Sequence, residues 1–350
     1  MTRDYFAGAN TATGFVNHFS QIARPTTCKK IYLIKGGSGV GKSTSLKKIS
    51  KYFETRGLLV ENIWCGSDIN SLDGLHVPDL QIAFFDATAP HTMEATIPMI
   101  CEEIIDFAHY LDKNALVTFK DTILSLLDSK AQSYQRCYTF LKCAQLLRDS
   151  NSILLNPYIN PSTIEAAAQD FMQQLSLSPK VLSASTRLLF GESFSCAGHQ
   201  DITVNLFDDY TVYSTNQVHI EAHHIFLHTL QELLETCGYA CDILLSCFDA
   251  KTMKTLLVPE LKLAITDICN PYYSSIETTT WINDISNKHY AILFENNALI
   301  TKLQTSAKES LKDALDAHMQ IEAIYSSHMN FEACDHMIET LLTTLIGGEL

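Results

Sequence analysis

The chain has 350 residues, of which 46% are hydrophobic and 18% are charged, and its formal net charge is −14. This composition is sufficient for a buried core in one large or two medium domains. The acidic balance argues against an extended nucleic-acid groove or an anionic membrane surface as the main partner.

The cysteines and the apolar runs indicate a cellular compartment. The eleven cysteines form no C-x-x-C pair, which is typical of reduced thiols in a cytosol. The N-terminus carries no apolar signal region, and no apolar run approaches the length of a membrane span. We therefore expect a cytoplasmic protein with no membrane partner.

The first 56 residues predict alternating strands and helices. A short strand at Asp4–Ala7 is followed by a loop, a short helix and a β-rich apolar run at Ile31–Ile34. A helix is predicted from Ser43 to Arg56 because three apolar residues recur on one of its faces: Leu46, Ile49 and Phe53.

The segment between that strand and that helix, residues 35–44, reads KGGSGVGKST and fits the phosphate-loop (Walker A) pattern G-x-x-x-x-G-K-[ST]. Its glycines let consecutive backbone N–H groups surround a phosphate, and the helix N-terminus adds partial positive charge. Lys42 is expected to reach the β- and γ-phosphates, and Ser43 to ligate Mg²⁺. A Gly-rich turn alone would have no use for Lys42. The predicted nucleotide contacts are Gly36, Gly37, Ser38, Gly39, Val40, Gly41, Lys42, Ser43 and Thr44.

Two more strands are predicted at Leu58–Cys65 and Leu80–Phe85, and Asp86 closes the second of them. Because ligands bind at the carboxyl edge of open α/β sheets, we expect the Asp86 carboxylate beside the phosphate loop. There it would serve catalysis by holding Mg²⁺ directly or through water. The alternative is an acid that caps the next turn.

Other polar residues near these strands leave the mechanism open. Asp68 or Asp73 can orient a water or an acceptor hydroxyl, although a plain turn explains both equally well. His91 can face the γ-phosphate. Three arginines are candidates for stabilising the transition state, and the sequence does not choose among them: Arg56, Arg136 and Arg148.

The chain contains an internal repeat. Residues 76–86 (HVPDLQIAFFD) have a counterpart at 257–267 (LVPELKLAITD), and a gapless comparison places the first helix face on Leu227, Leu230 and Leu234. We therefore predict two tandem domains, 1–180 and 181–350. In each, strand–helix alternation favours a parallel sheet covered by helices, followed by a helical C-terminal extension that packs as a cap or hairpin on its own half.

The second half lacks the phosphate-loop residues. The counterpart of the loop, residues 217–225 (QVHIEAHHI), has no glycine, lysine, serine or threonine. We interpret it as a degenerate domain that keeps the fold and binds no nucleotide. Four histidines there include i,i+4 pairs, for which a metal site is the alternative to a partly solvated helix start: His219, His223, His224 and His228.

Taken together, these motifs resemble a family of bacterial proteins built from two P-loop halves, described only as ATPases or nucleotide-kinase-like proteins. The resemblance rests on Phe6–Thr11, on the phosphate loop, on Cys65–Asp68 with Ser71–Gly74, and on Asp86–His91. It implies a P-loop NTPase fold and names no physiological substrate. Family members often keep a loop in both halves, and this chain departs from that pattern after Asn216.

The sequence therefore predicts one working site, in the first half, that binds ATP rather than GTP, with Mg²⁺, and hydrolyses it. The catalytic residues are Lys42 and Asp86, and the metal ligands are Ser43 and Asp86. Two alternatives stay open. One is a small-molecule or nucleoside kinase with an unidentified acceptor, and the other is a nucleotide switch with negligible turnover that acts on a protein partner.

Overall fold

A computed structural model describes residues 2–89, 91–180, 185–216 and 218–346. It is an α/β protein with one twelve-stranded sheet and two small hairpins. The strands are β1 (Thr2–Phe6), β2 (Gly8–Thr11), β3 (Gly14–Asn17), β4 (Lys30–Lys35), β5 (Val60–Trp64), β6 (Leu72–Val77), β7 (Ile82–Asp86), β8 (Glu102–Asp106), β9 (Arg187–Phe190), β10 (Glu192–Ser195), β11 (Gly198–Asp201), β12 (Thr211–Ser214), β13 (Asp242–Leu245), β14 (Met253–Val258), β15 (Leu263–Thr266) and β16 (Ser274–Ser275). The helices are α1 (Phe19–Ile22), α2 (Lys42–Glu54), α3 (Lys113–Leu116), α4 (Lys120–Leu155), α5 (Pro161–Gln174), α6 (Ile220–Thr236), α7 (Asn287–Ser326) and α8 (Phe331–Ile346).

The large sheet is mixed, so the prediction of parallel sheets was wrong. Strand β6 runs antiparallel to both β5 and β7, and β14 runs antiparallel to both β13 and β15. A short 3₁₀ turn at Pro78–Leu80 joins β6 to β7. Such a connection suits antiparallel neighbours, because parallel neighbours need a crossover of a dozen or more residues. The phosphate-loop strand β4 does lie between two parallel neighbours, β7 and β8.

The strand order of the second half mirrors that of the first. From one edge the sheet runs β8-β4-β7-β6-β5-β1, and from the other it runs β16-β12-β15-β14-β13-β9. The two halves meet where β1 pairs antiparallel with β9, so one continuous sheet contains strands of both halves. The predicted boundary between 180 and 181 adjoins residues 181–184, which lie outside the described ranges, and the division into two domains stays a prediction.

An ion-pair cluster lies at this junction. Arg187 of β9 donates two hydrogen bonds of 3.0 Å to the carboxylate of Glu61 on β5 and bonds of 2.7 and 2.6 Å to that of Asp242 on β13. Both carboxylates are only 3% exposed. Burial would raise the pKa of Glu61, but Arg187 and His76 outweigh burial and hold that pKa well below its usual range.

The helical extensions are exchanged between the halves, so the prediction that each packs on its own half was wrong. Helices α4 and α7 pack antiparallel along their lengths, since Lys130 contacts His318, Arg136 contacts Asp313 and Asn151 contacts Asn297. Helix α5 of the first half then packs on α6 of the second, and α8 of the second half packs on α2 of the first. A 36-residue helix such as α4 spans about 54 Å, and its contacts with α7 continue from Lys130 to Asn151.

The helix faces identified in the sequence are buried as predicted. Leu46, Ile49 and Phe53 of α2 have no exposed surface and pack among residues of α8 such as Ile338. The α6 residues Leu227, Leu230 and Leu234 are equally buried. In the described part of the chain, no helix combines the length and apolarity that a membrane crossing requires.

Candidate functional site

The phosphate-loop segment forms a tight turn from β4 into α2. Gly39 and Gly41 have φ angles of +76° and +89°, values that side chains other than glycine rarely tolerate. Gly39 also lies against the end of α7, where a Cβ would come within 2.5 Å of the carbonyl oxygen of Glu322. The glycines therefore provide both the backbone curl and the space for a helix from the second half.

Lys42 and Asp86 meet at the base of this turn. Lys42 is 9% exposed, and its ammonium donates to the carbonyl oxygens of Gly36 at 3.1 Å and Gly37 at 2.7 Å. The Asp86 Oδ2 atom lies 3.6 Å from Lys42 Nζ. Asp86 ends β7, the parallel neighbour of β4, so the sheet edge itself brings this carboxylate to the loop. The two predicted catalytic residues therefore lie together.

Ser43 and Asp86 supply an oxygen donor set. Ser43 Oγ accepts the backbone N–H of Leu72 at 2.9 Å, and Asp86 Oδ1 accepts that of Thr88 at 2.9 Å. Each oxygen keeps a lone pair after these bonds. Hydroxyl and carboxylate oxygens are the donors that Mg²⁺ prefers, so these residues fit that cation.

Asp73 and His91, which the sequence left open, form a buried pair in the same place. They are 4% and 7% exposed, and Asp73 Oδ2 lies 3.2 Å from His91 Nε2. The geometry of this contact is not that of a hydrogen bond. Among the described residues, Asp73 Oδ2 and His91 Nδ1 have no hydrogen-bond partner. Burial raises the pKa of Asp73 to about 6, the charge of His91 opposes that rise, and the charge of Asp86 adds to it. A carboxylate with this pKa is suited to accept a proton near neutral pH.

Cys65 completes this group of ligand-type side chains. Its sulfur, an Asp73 oxygen and a His91 nitrogen lie within 4.8 Å of one another, an arrangement that Zn²⁺ would accept better than Mg²⁺. Burial and the Asp73 charge raise the pKa of the Cys65 thiol well above its ordinary value, so it stays protonated at neutral pH. Glu192, His199 and Cys247 form a similar group in the second half.

A cavity of about 550 Å³ opens above the loop. Its floor includes residues 38–44, Asp68, Asp73, Asp86 and His91. Helices α4 and α7 form its helical wall and contribute residues that sequence reasoning missed as site residues: Lys130, Tyr134, Leu311, Leu315, His318, Met319 and Glu322. A position such as 318 has no local pattern that links it to a loop some 280 residues away, so only the fold reveals it.

The three arginine candidates lie elsewhere. Arg56 stacks on Tyr52 at 3.4 Å, and Arg136 pairs with Asp313 on the helix surface. Arg148 lies 4.2 Å from the ring of Phe248, beside the second half. None of them lines the cavity.

In the second half, helical structure stands at the counterpart of the loop. Helix α6 already begins at Ile220, the counterpart of Gly39, so an extra helical turn replaces the glycine nest. His224 Nδ1 accepts the N–H of Met253 at 3.2 Å, as its counterpart Ser43 does from Leu72. His223 stands where Lys42 would and is fully buried, bonded to Thr215.

The second half has an ion pair between two of its own residues at the corresponding sheet edge. Lys254 takes the place of Asp73 and forms an ion pair with Asp267, the counterpart of Asp86. Burial lowers the pKa of His223 to about 4, so it is neutral. Neither His223 nor His224 lines the first-half cavity, and the described residues include no cluster of three metal ligands from His219 to His228.

Comparisons of the chain with family models, with curated proteins and with solved structures give no match.

Proposed function

We propose that this chain is a tandem P-loop protein with one working nucleotide site in its first half, which binds Mg–ATP and hydrolyses it. One observation carries the proposal: Lys42, its ammonium held by two loop carbonyls, lies 3.6 Å from a carboxylate at the end of the neighbouring parallel strand. A glycine turn without a ligand would have no need of a buried ammonium there. The loop amides, Lys42, Ser43 and Asp86 would then bind the phosphates and the metal.

Each polar group has a task in this proposal. The loop N–H groups and Lys42 bind the phosphate oxygens and favour the charge that accumulates on the transferred group. Ser43 and Asp86 would hold Mg²⁺, which neutralises phosphate charge when bound. Asp73, whose pKa burial raises to about 6 and which lies beside His91, would accept a proton from the attacking water. The second half, with its internal Lys254–Asp267 pair, would bind no nucleotide.

Phosphoryl transfer to a small molecule is the second candidate, and the cavity favours it. The helical wall offers Tyr134 and apolar α7 residues such as Leu315 and Met319 to the same cavity. Such a wall can hold an organic acceptor and exclude water, and Asp73 would then take a proton from an acceptor hydroxyl.

The proposal is tested by titrating Mg–ATP and measuring phosphate release by the full chain and by Lys42→Ala. We expect one nucleotide per chain and a drop in turnover of about a hundredfold or more in Lys42→Ala. Lys51→Ala is the matched control, since Lys51 is an exposed residue of the same helix. Equal turnover in Lys42→Ala and the parent, or two nucleotides per chain, would refute the proposal. Phosphate that appears on an added hydroxyl compound would favour the kinase.

A further inference from the structure

The helical wall of the cavity carries an ammonium group that has no carboxylate partner in the described part of the chain. Lys130 of α4 is half-buried and lines the same cavity as Lys42. Its Nζ lies 2.8 Å from His318 Nδ1 on α7, and it takes part in no ion pair with any described residue. One of the three N–H donors of this ammonium is taken by His318, and the other two have no acceptor among the described residues, so they are available to an anionic ligand.

His318 holds this ammonium through a defined set of hydrogen bonds. An ammonium has only donors, so His318 Nδ1 must accept from Lys130, and the ring proton must be on Nε2. Nε2 lies 3.4 Å from Glu322 Oε1, one helical turn further along α7. His318 Nδ1 also lies 3.4 Å from the hydroxyl of Ser38 in the phosphate loop. The chain Glu322–His318–Lys130 thus links a helix of the second half to the loop of the first.

The cavity lining carries charges of both signs, namely the ammonium groups of Lys42 and Lys130 and the carboxylates of Asp68, Asp73, Asp86 and Glu322. Burial lowers the pKa of Lys130, and the charge of Glu322 opposes that change. Lys130 forms an ion pair with none of these carboxylates, and it lines the same cavity as the phosphate loop. A phosphate group that reaches both Lys42 and Lys130 would receive hydrogen bonds from both ammonium groups.

We propose that Lys130 is a second phosphate-binding cation of this site, which contacts the terminal phosphate of a bound nucleoside triphosphate from the helical wall. His318 is its positioning residue. Lys130 stays protonated throughout, donates N–H bonds to the phosphate oxygens and takes no part in proton transfer. This inference rests on the proposed function, and it identifies the cation that Arg56, Arg136 and Arg148 do not supply.

The test compares ATP with ADP, because only ATP has the terminal phosphate. In Lys130→Ala we expect ATP affinity to fall about tenfold and turnover about a hundredfold, while ADP affinity stays within about twofold of the parent. The unchanged ADP affinity also shows that the variant is folded. Lys142→Ala, an exposed residue of the same helix, is the control and should behave as the parent.

A second pair of variants tests the positioning role. His318→Ala should lower turnover and leave ADP affinity unchanged, and His318→Asn should restore part of it, because the asparagine oxygen can replace Nδ1 as acceptor. Parent-like ATP affinity and turnover in Lys130→Ala, or equal losses for ATP and ADP, would overturn the inference. If Lys130→Ala gives such a result and Lys42→Ala is inactive, the inference fails and the proposed function survives. Absence of ATP binding by the parent would overturn both.

Discussion

Asp73→Asn should stabilise the protein at neutral pH while it abolishes turnover. Asp73 is buried beside Asp86, and one of its oxygens has no hydrogen-bond partner among the described residues. At neutral pH the folded protein must hold this carboxylate ionised at a site that burial makes unfavourable. The asparagine amide has nearly the same shape and no charge, so the substitution removes that cost.

The size of the effect follows from the pKa of Asp73, which rises from an ordinary 3.8 to about 6. Each pKa unit corresponds to about 1.36 kcal/mol, so roughly 2 to 3 kcal/mol of unfolding free energy is at stake. The pKa of Asp73 is higher in the folded state than in the unfolded state. Between about pH 4 and pH 6 the folded state therefore binds more protons than the unfolded state. Stability therefore falls as pH rises through that window, and the cost is fully present above about pH 6.

The assay is urea unfolding of the parent and of Asp73→Asn at about pH 4 and at pH 7.5, together with phosphate release. We expect a clear gain in unfolding free energy at pH 7.5, almost none at the lower pH, and a loss of turnover of about a hundredfold or more. Asp68→Asn is the control, since Asp68 lines the same cavity but is less buried and accepts the N–H of Asn70. Destabilisation by Asp73→Asn at pH 7.5, or a gain that is independent of pH, would refute the reasoning.

Three further predictions concern the junction of the halves, the exchanged helices and the loop. Arg187→Ala should lower the unfolding free energy by about 3 to 5 kcal/mol in urea melts, because it leaves Glu61 and Asp242 charged, buried and unpaired. Ile338→Ala should cost about 2 to 5 kcal/mol in the same melts, since this α8 residue is 2% exposed and packs on α2. Glu322→Gln should tighten ATP binding about fivefold in a titration, because a His318-bonded carboxylate near the Gly39 N–H and Lys42 repels a phosphate.

Each of these has an outcome that would contradict it. A loss below about 1 kcal/mol in Arg187→Ala would mean that Glu61 and Asp242 find water or other partners when the arginine is removed. A neutral Ile338→Ala would show that α8 does not cover α2. Weaker ATP binding by Glu322→Gln would mean that the carboxylate supports the nucleotide site instead of competing with phosphate.

The sequence by itself determined the residue spacing of the loop and the buried faces of its helix. The spacing of Gly36, Gly41, Lys42 and Ser43 depends on backbone angles and hydrogen bonds within ten residues, and Asp86 follows from the end of one apolar run. The buried faces of α2 and α6 follow from a period of 3.6 residues. These are local properties, so they could be read from neighbouring residues.

The segment that contains strand β6 was predicted only in part from the sequence. The sequence indicated a turn around residues 65–74, but the structure continues into an antiparallel strand, and this strand brings Asp73 beside Asp86. The turn residues gave the correct local signal for the first part of the segment. The pairing partner, which decides the strand direction, is a property of the assembled sheet.

Only the tertiary structure decided which helices cover which half. The apolar stripes of α4 and α7 show that each helix is buried, but the same stripe would fit its own half or the other one. The long antiparallel pairing of α4 with α7 places each helical extension against the other half. It also brings Lys130, His318 and Glu322 to the cavity at the loop. Contacts between residues so distant in the chain depend on the packing of the whole molecule, because no local spacing encodes them.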